Sequence, residues 1–162
     1  MGPYFIDFEA FQHGEGDTYI KELCIVDVDK PLFPLYYLFA PERLWDDLRR
    51  MEKYTYNHQT KNYHQLEWNE GTTRFCHNCV MNHIAVTWSN WSNSIFYVME
   101  KDTNGPKLRL LKKHFPHLNI VNDNISFYDL PPIPQHVKCL HREHGEHCAY
   151  FKCLRMITHY IQ

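Results

Sequence analysis

The chain has 162 residues, 44% of them apolar and 22% charged, with a net charge of −2. That balance excludes a disordered polyelectrolyte and a generally basic nucleic-acid binder, so any contact with RNA or DNA rests on a local patch. No run of about eighteen apolar residues and no basic-then-apolar leader is present, so neither a membrane span nor a signal peptide is expected. Six cysteines in that setting read as reduced thiols of the cytoplasm or nucleus. In chain order, Tyr4–Glu9 (YFIDFE) reads as a strand and Phe11–Asp17 (FQHGEGD) as a turn. Tyr19–Val28 and Leu35–Phe39 are further β-rich runs, which together predict an antiparallel three-strand meander. Pro41–Met51 opens with a proline suited to a first helical turn and spaces Leu44, Leu48 and Met51 at helical intervals, which predicts a helix. The polar and aromatic stretch Tyr54–Asn93 gives no clear assignment beyond a helix within Val80–Trp88. Ser94–Met99 predicts a strand, Lys107–Phe115 an amphipathic helix with a basic side, and Ile120–Val121 a short strand. Pro131, Pro132 and Pro134 mark a loop that leads into the apolar AYFKCLRMITHYI, a final helix. Strands, then alternating βα units, predict one α/β domain over residues 1–162, with a mixed sheet and helices on both faces. That order fits the ribonuclease-H-like fold.

Chemistry concentrates near the C-terminal helix. Lys138–Cys153, KCLHREHGEHCAYFKC, packs three cysteines and three histidines into sixteen residues, a density of thiolate and imidazole that suits zinc. The plain alternative is a solvated His-rich loop with core cysteines. A second group, Cys76, Cys79 and His83, has Cys-x-x-Cys spacing compatible with a second metal or with redox chemistry, and equally with a turn around one buried thiol. His64 and His77 are its nearest further ligands. Cys24 and Cys153 fall at apolar positions and read as core. Asp7 and Glu9, two apart on a strand, project to one face and can address one hard cation. Lys107, Arg109, Lys112 and Lys113 form a basic helix side suited to phosphates, and Trp88, Trp91, Tyr54, Tyr56 and Tyr63 offer rings for unpaired bases.

Those residues carry a resemblance. YFIDFEAF is similar to the first motif of the DEDD-type 3′–5′ exonucleases, a strand bearing Asp-x-Glu, here Asp7 and Glu9. Their third motif, His-x-Ala-x-x-Asp, corresponds to His147-Cys148-Ala149-Tyr150-Phe151-Lys152, where a lysine stands in place of the acid. For the second-motif acid only Asp102 is available. The departures resemble the Maelstrom domain, in which the exonuclease fold is kept, the catalytic acids are largely lost and a Glu-Cys-His-Cys zinc site is present. The resemblance implies zinc ligands Glu22, Cys139, His141 and Cys148, with His144 as the alternative to His141. Related domains occur in arthropod and invertebrate-virus proteins.

The resemblance implies a zinc-stabilised, catalytically degenerate exonuclease-like module that binds single-stranded RNA or protein partners in RNA silencing, such as the piRNA pathway, or in a host–virus setting. Two rival readings follow from the same residues. One is an active Mg²⁺- or Mn²⁺-dependent 3′–5′ exonuclease or ribonuclease using Asp7, Glu9, Asp102 and His147. The other is a protein-interaction scaffold held together by zinc.

Overall fold

The computed structural model describes residues 3–14, 17–75, 79–80, 82–84, 94–99, 106–116, 118–122, 130–132, 137–140 and 148–161. Strand β1 (Tyr4–His13) pairs antiparallel with β2 (Asp17–Asp27), which pairs antiparallel with β3 (Leu35–Leu38). On its other side β1 runs parallel to β4 (Ile95–Val98), and β4 parallel to β5 (Asn119–Asn122). The five strands form one mixed sheet in the order β3-β2-β1-β4-β5. The chain is therefore α/β, with the expected meander followed by parallel strands.

The period-2 alternation of β1 explains which helix meets which face. Ile6 and Phe8 point into a core shared with Tyr56 of α1 (Arg50–Gln59) and with Leu108 and Leu111 of α2 (Pro106–His114). Phe5 points the other way, where it joins Cys24 and Val26 of β2 beneath α3 (Ala149–Ile161). Helix α3 is buried on every side from Ala149 to Ile157, which is why its sequence is apolar all round rather than striped. Its two cationic exceptions are both used. Arg155 donates to the carbonyls of Pro131 and Leu130, and Lys152 serves the site described below.

Two expected elements are corrected. Phe11–Asp17 is not all turn: β1 continues to His13 and turns at Gly14, whose φ of 72° suits glycine. The extension is held by Phe11, which is fully buried with its ring edge-on to Tyr56 at 5.2 Å and to Trp68 at 5.3 Å. Pro41–Met51 is not a helix either. It holds a 3₁₀ turn at Trp45–Asp47, flanked by extended Leu44 and Leu48, and α1 starts only at Arg50. The spacing of Leu44, Leu48 and Met51 mimics a helical stripe, yet Leu48 is 5% exposed while Leu44 and Met51 are 71% and 62% exposed. The true start is set by Glu52, whose carboxylate accepts the Arg49 backbone N–H at 3.0 Å and pairs with Arg43 and Arg49. Residues 79–80 and 82–84 are helical, with Val80 and Ile84 in the core, and the remainder of the helix expected there lies outside the described residues.

A bulge interrupts the central hairpin. Glu9 opposes Glu22 and Ala10 opposes Ile20, so Lys21 is the extra residue of β2. Its side chain is fully buried and donates to the Trp68 carbonyl at 2.7 Å. Burial pushes the Lys21 ammonium down to about 8, Glu70 opposing the shift only in part. The folded state thus holds this proton less tightly than the unfolded chain does. Its destabilising contribution is complete below about pH 8 and is relieved as pH rises toward the ordinary lysine value. Relative to a Lys21→Met variant, the wild type is expected to gain stability between pH 8 and pH 10, by at most about 1.4 kcal/mol per pH unit. Parallel urea melts of the two proteins across that range check this, and a constant difference would show that Lys21 does not titrate there.

Candidate functional site

The register between β1 and β4 creates the site. Among the described residues Tyr4 and Phe5 of β1 are the ones paired with β4, and beyond them β1 continues with β2 as its sheet partner. Asp7 lies just beyond that point, where the sheet changes from parallel to antiparallel pairing. Such switch points at strand ends are where open α/β sheets form clefts. Here ammonium groups fill the position.

Lys107, in the first turn of α2, reaches Asp7 Oδ1 at 2.5 Å, with its Nζ 5.1 Å above the Phe8 ring. Lys152 of α3 approaches from the other side. Its Nζ lies 3.0 Å from Asp7 Oδ2 and also donates to Glu9 Oε1. Asp7 is fully buried and the Lys152 side chain is 4% exposed, so this is an interior ion cluster. Burial alone would raise the Asp7 carboxyl, but Lys107 and Lys152 outweigh it and hold the group below the usual carboxylate range. Burial likewise disfavours the Lys152 ammonium, yet Asp7 and Glu9 raise its affinity for the proton well above that of an ordinary lysine. Asp7 is held ionised, and an ammonium group already stands against each of the two acids.

Glu22 adjoins this cluster directly, since it faces Glu9 across the β1–β2 ladder. Carboxylates directly opposite each other repel. The start of α3 settles the arrangement by supplying a partner to each. Glu22 Oε1 accepts the Ala149 N–H at 2.8 Å and Oε2 accepts the Tyr36 hydroxyl at 2.5 Å, while Lys152 takes Glu9. An anion at the N-terminus of α3 also complements the helix dipole. The Cys148 carbonyl accepts the Lys152 N–H at 3.0 Å, so the same residue closes the first turn and positions the lysine. The two candidate centres that the sequence separates by motif are thus one continuous strip beneath the first turn of α3.

The strip holds much of the expected zinc set. Cys148 is fully buried, and its thiol is raised by a hydrogen bond with Cys139, by burial and by nearby Glu22. Burial first, and then Glu22, raises the Tyr36 hydroxyl too. Glu22, Cys139 and Cys148 are therefore brought to one neighbourhood, while His141 and His144 lie outside the described residues. Among the described residues no three His, Cys, Asp or Glu side chains stand at metal-holding positions, and Glu22 is bonded to Tyr36 and Ala149. Two thiols and a carboxylate are nonetheless a chemically suitable donor set for zinc. Cys24 and Cys153 are both fully buried, with the Cys153 thiol 3.6 Å from the Phe5 carbonyl and 3.7 Å from that of Cys24.

The remaining residues fall elsewhere. Asp102, His147 and Cys76 lie outside the described residues. Cys79 is exposed and disulfide-bonded, which corrects the expectation that all six cysteines are reduced, and His83 is exposed. Arg109, Lys112 and Lys113 are exposed on α2, but Lys107 turns inward to Asp7 rather than to solvent with them. Lys107 is the site residue whose role sequence reasoning missed. The only signal was its place in the first turn after Pro106. Among the described residues no helix is long and apolar enough to cross a membrane. A scan against protein-family models finds no match, and no curated protein matches the chain.

Proposed function

We propose that the chain is a ribonuclease-H-like domain in which an internal lysine clamp has replaced divalent-metal chemistry, and that it acts as a binding module for single-stranded RNA in the cytoplasm or nucleus. The observation that carries this reading is the buried Asp7–Lys107–Lys152–Glu9 cluster. A two-metal nuclease needs free carboxylates to hold cations against the scissile phosphate. In this chain the two first-motif acids are occupied by ammonium groups, and a second positive charge brought to the same oxygens meets strong repulsion. The strand order β3-β2-β1-β4-β5, with three antiparallel strands followed by parallel ones, supports the fold reading. Glu22, Cys139 and Cys148, with a histidine from His141 or His144, form the zinc ligand set of this proposal. Zinc would tie β2 to the start of α3 and contribute directly to folding. Exposed Arg109, Lys112 and Lys113 supply phosphate contacts.

The test is cleavage and binding of end-labelled single-stranded RNA with Mg²⁺, Mn²⁺ or EDTA. The expected result is salt-sensitive binding without metal-dependent cleavage. Cleavage that requires Mg²⁺ or Mn²⁺ and disappears in Asp7→Ala/Glu9→Ala would overturn the clamp reading in favour of an active exonuclease. Absence of any RNA affinity would leave a protein-binding scaffold.

A further inference from the structure

A groove separate from the carboxylate strip is built by three segments that the sequence keeps apart. Its volume is about 460 Å³, within the usual range for small-ligand sites. The 3₁₀ turn contributes Trp45, the end of α1 contributes Asn57, Thr60 and Lys61, and the following loop contributes Glu67, Trp68 and Asn69. The backbone around it is specialised. Helix α1 widens into a π turn at Thr60–His64, and the chain then takes a left-handed step at Gln65, with φ of 58°. Gly71 pins the loop against β3: a side chain there would meet the Phe39 carbonyl oxygen, 2.3 Å from its Cβ position.

The lining groups divide into those already used and those left over. Trp68 gives its N–H to the Arg43 carbonyl at 2.8 Å and stacks on Tyr56 at 5.1 Å, so it offers the groove a fixed apolar wall. Thr60 is bonded to the Leu66 carbonyl at 2.7 Å. The side chains of Asn57, Lys61, Glu67 and Asn69 make no hydrogen bond or ion pair with any described residue. Half-buried Trp45, packed on the core, lines the groove beside them. A planar ligand with mixed donors and acceptors on its edge and one negative charge satisfies this set. Carboxamides read donor and acceptor pairs, a carboxylate accepts from an exocyclic amine, and an ammonium takes a phosphate.

We infer that this groove takes one unpaired nucleotide, its base against Trp45 and its phosphate toward Lys61. The inference deepens the RNA-binding reading and rests on it for the source of the nucleotide, while the groove's chemistry stands by itself. Stacking on one aromatic side chain predicts a roughly ten- to hundredfold loss of affinity on its removal.

The experiment titrates the intact chain with the four nucleoside monophosphates, followed by tryptophan fluorescence, and with a labelled single-stranded RNA, followed by anisotropy. Wild type is compared with Trp45→Ala, with the surface change Asn69→Ala, and with Lys112→Glu/Lys113→Glu. The expected result is quenching by at least one monophosphate, competition of that monophosphate with RNA, and loss of both in Trp45→Ala. Asn69→Ala should weaken both, which keeps the test decisive if Trp45→Ala fails to fold. The α2 variant should weaken RNA binding and leave the monophosphate unaffected. RNA binding that is unchanged in Trp45→Ala and Asn69→Ala, with no monophosphate quenching, would overturn the groove and leave RNA binding intact. Monophosphate binding without RNA binding would uphold the groove and remove the RNA reading. Binding of neither would remove both.

Discussion

Replacing Lys152 with methionine is expected to be among the most damaging single changes in this chain. The substitution keeps most of the volume and removes one charge, leaving Asp7 ionised in the interior with only Lys107, and Glu9 facing Glu22 without its counterion. Breaking a buried ion pair from one side costs about 3–5 kcal/mol, because the remaining charge stays desolvated. The pH dependence has a definite sign. In the wild type the depressed Asp7 carboxyl contributes stability above its unfolded value and loses it as pH falls through the folded one. In Lys152→Met the carboxylates are costly when ionised, so acidification relieves the variant while it weakens the wild type. Urea melts at pH 7 and near pH 4 should therefore show a wide gap that narrows in acid. A second substitution, Asp7→Asn, should recover much of the loss, and the double-mutant cycle measures the coupling. Lys152→Asp carries the reasoning further. With a carboxylate in place of the ammonium, Mn²⁺ should raise the melting temperature of that variant and leave the wild type unmoved. An unchanged urea midpoint in Lys152→Met would show that the clamp contributes nothing.

The second large effect is expected at Cys148. Its sulfur is buried where β2 meets the start of α3, beside Cys139 and Glu22. If these residues hold zinc, metal binding and folding are coupled, and Cys148→Ser should reduce bound zinc from about one per chain to none. The accompanying loss of stability should reach about 3 kcal/mol or more. Cys153→Ser is the matched comparison, since the Cys153 thiol is directed at the Phe5 and Cys24 carbonyls. It should lose some stability and keep its metal. Elemental analysis after gel filtration, combined with thermal melts with and without chelator, separates the two outcomes. A wild type that carries no zinc and melts identically in chelator would remove the metal from this site.

The parts of the fold legible in the sequence are those where one local pattern decides the outcome. The apolar run YFIDFE and the β-rich run YIKELCIV mark both central strands, and the spacing of Asp7 and Glu9 puts both on the α3 face. The lysine of HCAYFK was legible as a charge near the Asp7–Glu9 pair, and the structure puts Lys152 on both. Features that depend on register between distant segments were not legible. Lys107 reads as part of a solvated basic side because nothing local shows that β4 pairs with Tyr4 and Phe5, which leaves Asp7 within its reach. The false helix at Pro41–Met51 fails for a related reason. Helical spacing was present, but the carboxylate that nucleates the turn is Glu52, one residue beyond the expected end. The groove at Trp45 escaped notice because its walls come from three segments, one of them a π turn that no spacing rule anticipates.

The placement of α3 has a consequence for how the fold closes. The hairpin at the centre of the sheet holds Asp7, Glu9 and Glu22 on one surface. Their partners are distant in sequence: Ala149 lies 127 residues after Glu22, and Lys152 lies 143 residues after Glu9. Until α3 docks, that surface carries like charges without these partners, so the helix works as an electrostatic latch made of contacts of long sequence separation.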